Sequence, residues 1–329
     1  MAAENQNVWV YIDTKSDGSV KNVSLELIHG AKTLLKNDSE KVVAVVIGSG
    51  VQATVDTVKK YGADQILTVD DDAYKTFNAQ NYAYALSVLV RDDTPSAVLF
   101  GATLSGKDVA ASLAAKLQTS AVNDASAAVL VDGLIEWTRA IYGGKFVTKV
   151  AGNGTAPQIG SIRTGIFTKL EAASDPEVIA KSVPLGDQAA KAAVVNVIAS
   201  DSSSINLEEA KVVVGAGRGV TAASLPALRE LASLFEAGGV GGTRPVVDEG
   251  LLTPQDQIGL SGKKISPSIY FAIGVSGASQ HVQGIKDSKV IVAVNRDADA
   301  PIFEIADYGV VGDLNKVVPA VISEIKQLK

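Results

Sequence analysis

A chain of 329 residues is long enough for two domains, and its 30 lysines and arginines against 36 aspartates and glutamates leave a formal charge of −6. That balance excludes a sequence-independent attraction to nucleic acid or anionic lipid, and the absence of cysteine excludes disulfides, thiolate metal sites and thiol nucleophiles together. Apolar residues make up 47% of the chain, enough for buried cores, yet no apolar run reaches the ~18 residues of a membrane span. The two histidines, His29 and His281, lie too far apart in sequence for a local zinc motif, so no metal site is expected. The opening MAAENQNVWVYID has neither the basic start of a secretion signal nor an arginine-rich presequence, and a soluble cytoplasmic protein is expected.

Residues 8–12 (VWVYI) predict a strand, and Val23, Leu27, Ile28, Ala31, Leu34 and Leu35 then recur at the 3.6-residue period of a helix. The same order repeats at 42–47 and 51–61, at 65–69 and 79–91, and at 97–100 and 107–118. Continuous apolar strands separated by helices predict an α/β fold whose mainly parallel sheet is covered on both faces. From 120 to 163 short strand-like runs are broken by Asp132-Gly133, Gly143-Gly144 and Gly152-Asn153-Gly154, which predicts an antiparallel or mixed extension. Residues 171–206 carry Pro176, Pro184, Gly186 and a polar run at 200–204, and read as a linker between an N-terminal α/β domain (1–206) and a C-terminal one (207–329). Strands at 211–215, 268–273 and 289–294 and helices at 224–237, 276–285 and 313–328 then resume the alternation. Of the 30 glycines, 15 fall in the last 123 residues, at strand ends where a backbone can approach a ligand closely, which places the ligand site in the second half.

Gly101 to Asp108 (GATLSGKD) comes within one residue of a phosphate-binding P-loop, but Asp108 stands where a Ser or Thr hydroxyl would hold Mg²⁺. The bland reading is a helix start at which Asp108 complements the dipole. Gly215-Ala-Gly217-Arg218-Gly219 opens like a dinucleotide fingerprint and fails at Val220; a tight turn carrying an arginine toward an anion and a simple turn both remain open. Thr243 and Arg244 follow the glycine cluster 238–242, read as a loop at the carboxyl edge of a sheet. Gln257, Gly259, Ser261 and Gly262 belong to a polar loop that is either a flexible turn or a set of hydrogen-bonding groups. Ser276-Gly277-Ala278-Ser279-Gln280-His281 follows an apolar strand, so Ser276 is expected as an N-cap with the amides after it facing an anion, and His281 one turn in. Asn295 ends a strand, and Asp313 fits either an N-cap or a ligand contact. No Ser-His-Asp or paired-carboxylate set gives acid–base or nucleophilic chemistry a full cast, so no catalytic residue is assigned.

The segments GRG at 217–219, TRPVVDEG at 243–250, QIGLSGK at 257–263, IYFAIGVSGASQH at 269–281 and IVAVNRDADAPIFEIADYGVVGD at 291–313 resemble the electron transfer flavoprotein alpha subunit, and VSLELIHGA at 23–31 and GATLSGKD extend the likeness to the first half. The resemblance implies a Rossmann-like C-terminal FAD-binding domain, a heterodimer with a beta subunit contacted by the N-terminal domain, and an electron carrier without substrate turnover. In its terms Arg218, Thr243, Arg244, Ser261, Ser276, Gln280, His281, Asn295 and Asp313 are cofactor positions, with Gln257, Gly259, Gly262, Gly277 and Ala278 in the same motifs. Arg244 would lie against the isoalloxazine, Ser261 near N5 and His281 at the carbonyl O2. Ser276 and its helix amides would serve the ribityl-pyrophosphate stretch, and Asn295, Asp313 and Leu314 the AMP moiety. Arg244, His281 and a helix N-terminus would together stabilise negative charge on the reduced ring. Leu260, Ser279 and Leu251 depart from the family's usual residues, which bears on the redox potential. Donors and acceptors implied include acyl-CoA and other dehydrogenases, ferredoxin or a membrane quinone reductase; whether the complex bifurcates electrons is left open. The competing readings are a nicotinamide-dependent oxidoreductase, which the missing third glycine weakens, and a non-redox nucleotide-binding regulatory subunit.

Overall fold

The computed structural model describes residues 7–196 and 206–328, apart from positions 16, 153, 155, 173 and 193. The polar run at 200–204, read as linker, and Asn153 lie outside the described residues. The chain divides into two compact units, Met1–Ile141 with Phe146–Ile198, and Tyr142–Lys145 with Ala199–Lys329. Among the described residues no helix is long and apolar enough to cross a membrane.

The first unit runs β1 (Val8–Tyr11), α1 (Asn22–Ala31), β2 (Val42–Gly48), α2 (Gln52–Val58), β3 (Gln65–Asp70), α3 (Ala79–Asp93), β4 (Ala97–Gly101), α4 (Leu104–Leu117), β5 (Ala121–Ala125), β6 (Ala127–Val131), β7 (Leu134–Ile141), β8 (Phe146–Ala151), β9 (Gln158–Ile162) and β10 (Glu177–Ala180). Seven strands form one parallel sheet in the order β10-β3-β2-β1-β4-β9-β5. Its central strands are apolar throughout because both faces are covered: Val8 and Val10 meet α1 and Trp137, while Trp9 and Tyr11 meet α3 and α4. The expected extension is mixed, since β5 and β9 join the parallel sheet whereas β6, β7 and β8 make an antiparallel one.

Two readings are corrected here. The stretch taken as linker contains β10, which pairs in parallel with β3 at the sheet edge. Helix α4 begins at Leu104, capped by Thr103, whose hydroxyl oxygen accepts from Gly106 N at 2.9 Å. Asp108 therefore lies in the second turn and does not serve the helix N-terminus. That role falls to buried Asp13, beyond β1, whose Oδ2 accepts from Thr103 Oγ1 and Ser105 Oγ at 2.6 Å each and from Lys21 Nζ at 2.8 Å.

The second unit runs β11 (Val212–Ala216), α5 (Leu225–Ser233), β12 (Gly238–Gly242), α6 (Arg244–Asp248), β13 (Ile269–Ile273), α7 (Ser279–Val282), β14 (Ile291–Asn295), β15 (Tyr308–Val311) and α8 (Leu314–Leu328). All five strands are parallel, in the order β12-β11-β13-β14-β15. Cores line both faces, one built on Val212, Val214, Leu228 and Ile322, the other on Val213, Tyr270, Ile285 and Ile302. The glycine cluster read as a loop is the edge strand β12: side chains at Gly241 and Gly242 would collide with Ile258 and Leu252, so bare backbone is what lets the neighbouring loop pack on it. The helix expected over 276–285 shrinks to the single turn α7, because Gly277 turns left-handed at φ 90°. Strand β15, just before the last helix, completes the sheet.

Candidate functional site

Strands β11 and β13 are neighbours from which the sheet is wound outward in opposite directions, and a crevice opens past the carboxyl ends of such strands. Both ends are glycines. Gly217 N donates to Ile273 O at 2.8 Å and Gly274 N to Val294 O at 2.8 Å, and a Cβ on Gly217 would fall on the Gly274 carbonyl. The cleft above them measures about 490 Å³ and is lined by Arg218, Thr243, Arg244, Pro245, Gln257, Ile258, Gly259, Leu260, Ser261, Val275, Ser276, Ala278, Gln280 and His281. Ten of the fifteen residues expected at the site thus converge on one cavity of small-ligand size.

Each wall has its own support. Arg218 is exposed on the turn after β11. Thr243 N donates to Ala216 O at 2.9 Å, which ties the end of β12 to that of β11, while its buried hydroxyl has no hydrogen-bond partner. Arg244 opens α6 with its side chain 72% exposed and Nε 3.4 Å from Asp248 Oδ2. The 257–263 loop is closed by Gly259 N donating to Lys263 O at 3.0 Å and Gln257 Nε2 donating to Ser261 Oγ at 3.0 Å. It is anchored to β12 and α7 by Ile258 N donating to Gly242 O at 2.9 Å and Leu260 N to Gln280 O at 2.7 Å. A Cβ on Gly259, at φ 140°, would stand 2.9 Å from Gln280 O, so glycine permits that anchorage. Leu260, half exposed, sits on the rim.

The other expected residues support the cleft from outside it. Gly262 closes the 257–263 loop and Gly277 packs its backbone on Ile302. Asn295 Nδ2 donates to Val275 O at 2.8 Å, while its Oδ1 accepts from Asp297 N at 3.0 Å. Asp313 Oδ1 accepts from Asn315 N at 2.9 Å, the capping alternative of the two left open for it. Leu314 reaches the switch-point glycines, with a methyl 3.3 Å from the position of a Cβ on Gly274. One expectation is corrected. Ser276 does not cap α7, which is preceded by Ala278 and lacks a side-chain cap, so a one-turn helix supplies no extended dipole. His281 is 5% exposed, and burial lowers its pKa to about 4. Its Nδ1 lies 3.0 Å from Ile258 O and its Nε2 2.8 Å from Tyr270 Oη.

The sequence reading passed over Pro245, Ile258 and Val275 as cleft walls, and Tyr270 behind them. The first three are apolar and signal nothing individually. Tyr270 had a legible signal, a tyrosine in an apolar strand diagonal in register to a glycine, Gly215, where a side chain would strike its hydroxyl.

The geometry accords with what known proteins show. An electron transfer flavoprotein domain matches residues 8–221 and an electron transfer flavoprotein FAD-binding domain matches residues 206–286. The chain belongs to the electron transfer flavoprotein family. It is 38% identical over 314 residues to the electron transfer flavoprotein subunit alpha of Bacillus subtilis, covering 95% of each chain. It is 37% identical over 320 residues to the subunit alpha of Syntrophomonas wolfei, covering 97% of this chain and 99% of that one. The acryloyl-CoA reductase electron transfer subunit beta of Anaerotignum propionicum is 31% identical over 355 residues, covering 98% and 96%. The chain is an electron transfer flavoprotein alpha subunit, an electron carrier whose cofactor is FAD. The cleft suits that group on its own terms: two arginines without a carboxylate among the described lining residues, a buried threonine hydroxyl lacking a partner, and a floor of bare backbone.

Proposed function

We propose that this alpha subunit holds FAD in the cleft at the ends of β11 and β13, pairs with a beta subunit through its N-terminal unit, and carries electrons in the cytoplasm between dehydrogenases, acyl-CoA dehydrogenases among them, and a downstream acceptor. The observation that carries the reading is the convergence of Arg218, Arg244, Ser261 and Ser276 on one cavity that also contains the unpartnered Thr243 hydroxyl. When bound, FAD supplies a ring that accepts and returns electrons and gains negative charge in doing so. Arg244, exposed and weakly held by Asp248, supplies a positive charge to that ring. Ser261 serves the ring's N5 side, and Arg218, Ser276, Gly277, Ala278 and Gln280 the ribityl-pyrophosphate stretch. Asn295, Asp313 and Leu314 support the AMP end, while Thr243, Gln257, Gly259 and Gly262 shape the ring's surroundings.

The charged residues lining the cleft are the two arginines, Arg218 and Arg244. Visible absorption of the complex co-expressed with its beta subunit tests the reading. Flavin bands that bleach with reductant, with a count of flavins per heterodimer, are expected; material that stays colourless with excess FAD would overturn it.

A further inference from the structure

Two side chains of the 257–263 loop meet across it, Gln257 and Ser261. The backbone beneath them is closed: Lys263 N donates to Gln257 O at 2.7 Å and Gly262 N to Gly259 O at 3.2 Å. A Cβ on Gly262 would overlap Gln257 O and stand 3.1 Å from Gln257 Cγ, so bare backbone at 262 lets the Gln257 side chain fold over the loop. That side chain ends with Nε2 donating to Ser261 Oγ at 3.0 Å. Because Ile258 N and Leu260 N fasten the loop to β12 and α7, the contact is formed on a fixed frame. Its polarity decides what Ser261 can do next. A hydroxyl has one hydrogen and two lone pairs, whereas the amide nitrogen of glutamine only donates. Gln257 therefore occupies a lone pair of Ser261 and leaves the hydrogen pointing elsewhere. Among the described residues no acceptor receives that hydrogen, and Ser261 lines the cleft. Ser279 differs, since its hydroxyl donates to Gln280 Oε1 at 3.4 Å and its hydrogen is already committed.

We propose that Gln257 is a positioning residue, whose side-chain amide holds Ser261 Oγ as an acceptor so that the Ser261 hydrogen is presented to an acceptor atom of the ligand in the cleft. On the function proposed above that atom is N5 of the FAD ring, which has a lone pair in the oxidised cofactor. The choice of N5 rests on that reading; the polarity of the Gln257–Ser261 contact belongs to the protein alone. Gln257 acts through the orientation of one hydroxyl. A leucine in its place neither gives nor takes a hydrogen, and it frees that hydroxyl among its three staggered positions, of which one serves the ligand.

The test uses the full chain in complex with its beta subunit, with and without FAD. In the FAD-free complex, nitrogen-15 NMR of glutamine-labelled protein should show a Gln257 side-chain amide signal that moves on Ser261→Ala. In fluorescence titration Ser261→Ala should weaken FAD binding about tenfold, the worth of one hydrogen bond, and Gln257→Leu about threefold, the number of orientations released. In a Ser261→Ala background Gln257→Leu should have no further effect, because the hydroxyl through which Gln257 acts is gone. An amide signal indifferent to Ser261→Ala overturns the proposal. So does a Gln257→Leu protein that binds FAD as the parent does, or one whose loss is the same with and without the Ser261 hydroxyl. If Gln257→Leu fails to fold, the amide signal of the otherwise unaltered chain against that of Ser261→Ala decides alone. Colourless material would overturn the flavin reading, while the amide signal would still test the polarity of the contact.

Discussion

Gly217 and Gly274 meet backbone against backbone at the ends of adjacent strands, so closely that a Cβ on Gly217 would land on the Gly274 carbonyl carbon and oxygen. A Gly217→Ala protein must part these strand ends. We expect a stability loss of about 2 kcal/mol in urea denaturation and FAD binding weakened about tenfold in fluorescence titration. Unchanged FAD affinity would detach this contact from the cofactor floor.

Thr243 gives effects of opposite sign. Its hydroxyl is buried without a partner, so Thr243→Val should hold or raise the stability of the FAD-free protein by up to about 1 kcal/mol, while weakening FAD binding. Calorimetry of the apo and loaded forms separates the two. A variant that destabilises the apo form would mean that the hydroxyl has a role within the protein itself.

Arg244 is available to the cofactor because its ion pair with exposed Asp248 is long and solvent-facing. Arg244→Ala should lower the first reduction potential of bound FAD; each 1.4 kcal/mol of lost stabilisation corresponds to about 59 mV for one electron. Potentiometry with an unchanged midpoint would remove Arg244 from this role.

Acid should weaken the fold through His281. Its pKa is about 4 in the folded chain against an ordinary 6.5, so the unfolded chain takes up the proton first as pH falls. The sign is therefore a loss of stability that begins near pH 6.5 and is complete below about pH 4, amounting to about 3 kcal/mol. Urea midpoints at pH 7, 6 and 5 measure it, and His281→Gln should flatten that segment. An equal slope in the variant would assign the loss to other groups.

Asp13 ties three donors at one oxygen in the first unit. Asp13→Ala leaves Thr103, Ser105 and Lys21 without their acceptor and should cost about 3 kcal/mol in global stability, whereas Asp13→Asn should cost less. Chemical denaturation of the two variants gives the comparison.

Much of this architecture was legible from periodicity alone. Runs such as 42–47 and 97–100 are apolar at every position because both sheet faces are covered, and α1 showed its buried stripe in Val23, Leu27 and Ile28. β12 was illegible for a physical reason: a strand of four glycines and a valine has no side-chain pattern, and its identity comes from backbone pairing with β11. β15 escaped because it is a short, exposed edge strand. At the site, the arginines and the serines singled out in the sequence line one cleft, since polar groups at strand ends announce themselves. The burial of His281 and its contact with Tyr270 were not legible, because Tyr270, eleven positions away, looks like ordinary core.

Each of the two parallel sheets has a point from which its strands fan outward, between β1 and β4 in the first unit and between β11 and β13 in the second. In the first, the chain has furnished its own anion, the Asp13 carboxylate, with hydroxyl and ammonium donors already committed to it. A visiting phosphate would have to evict a covalently attached competitor there, whose effective concentration no free solute matches. Among the described residues, then, the crevice at the winding point is filled by the chain's own carboxylate in one unit and open in the other.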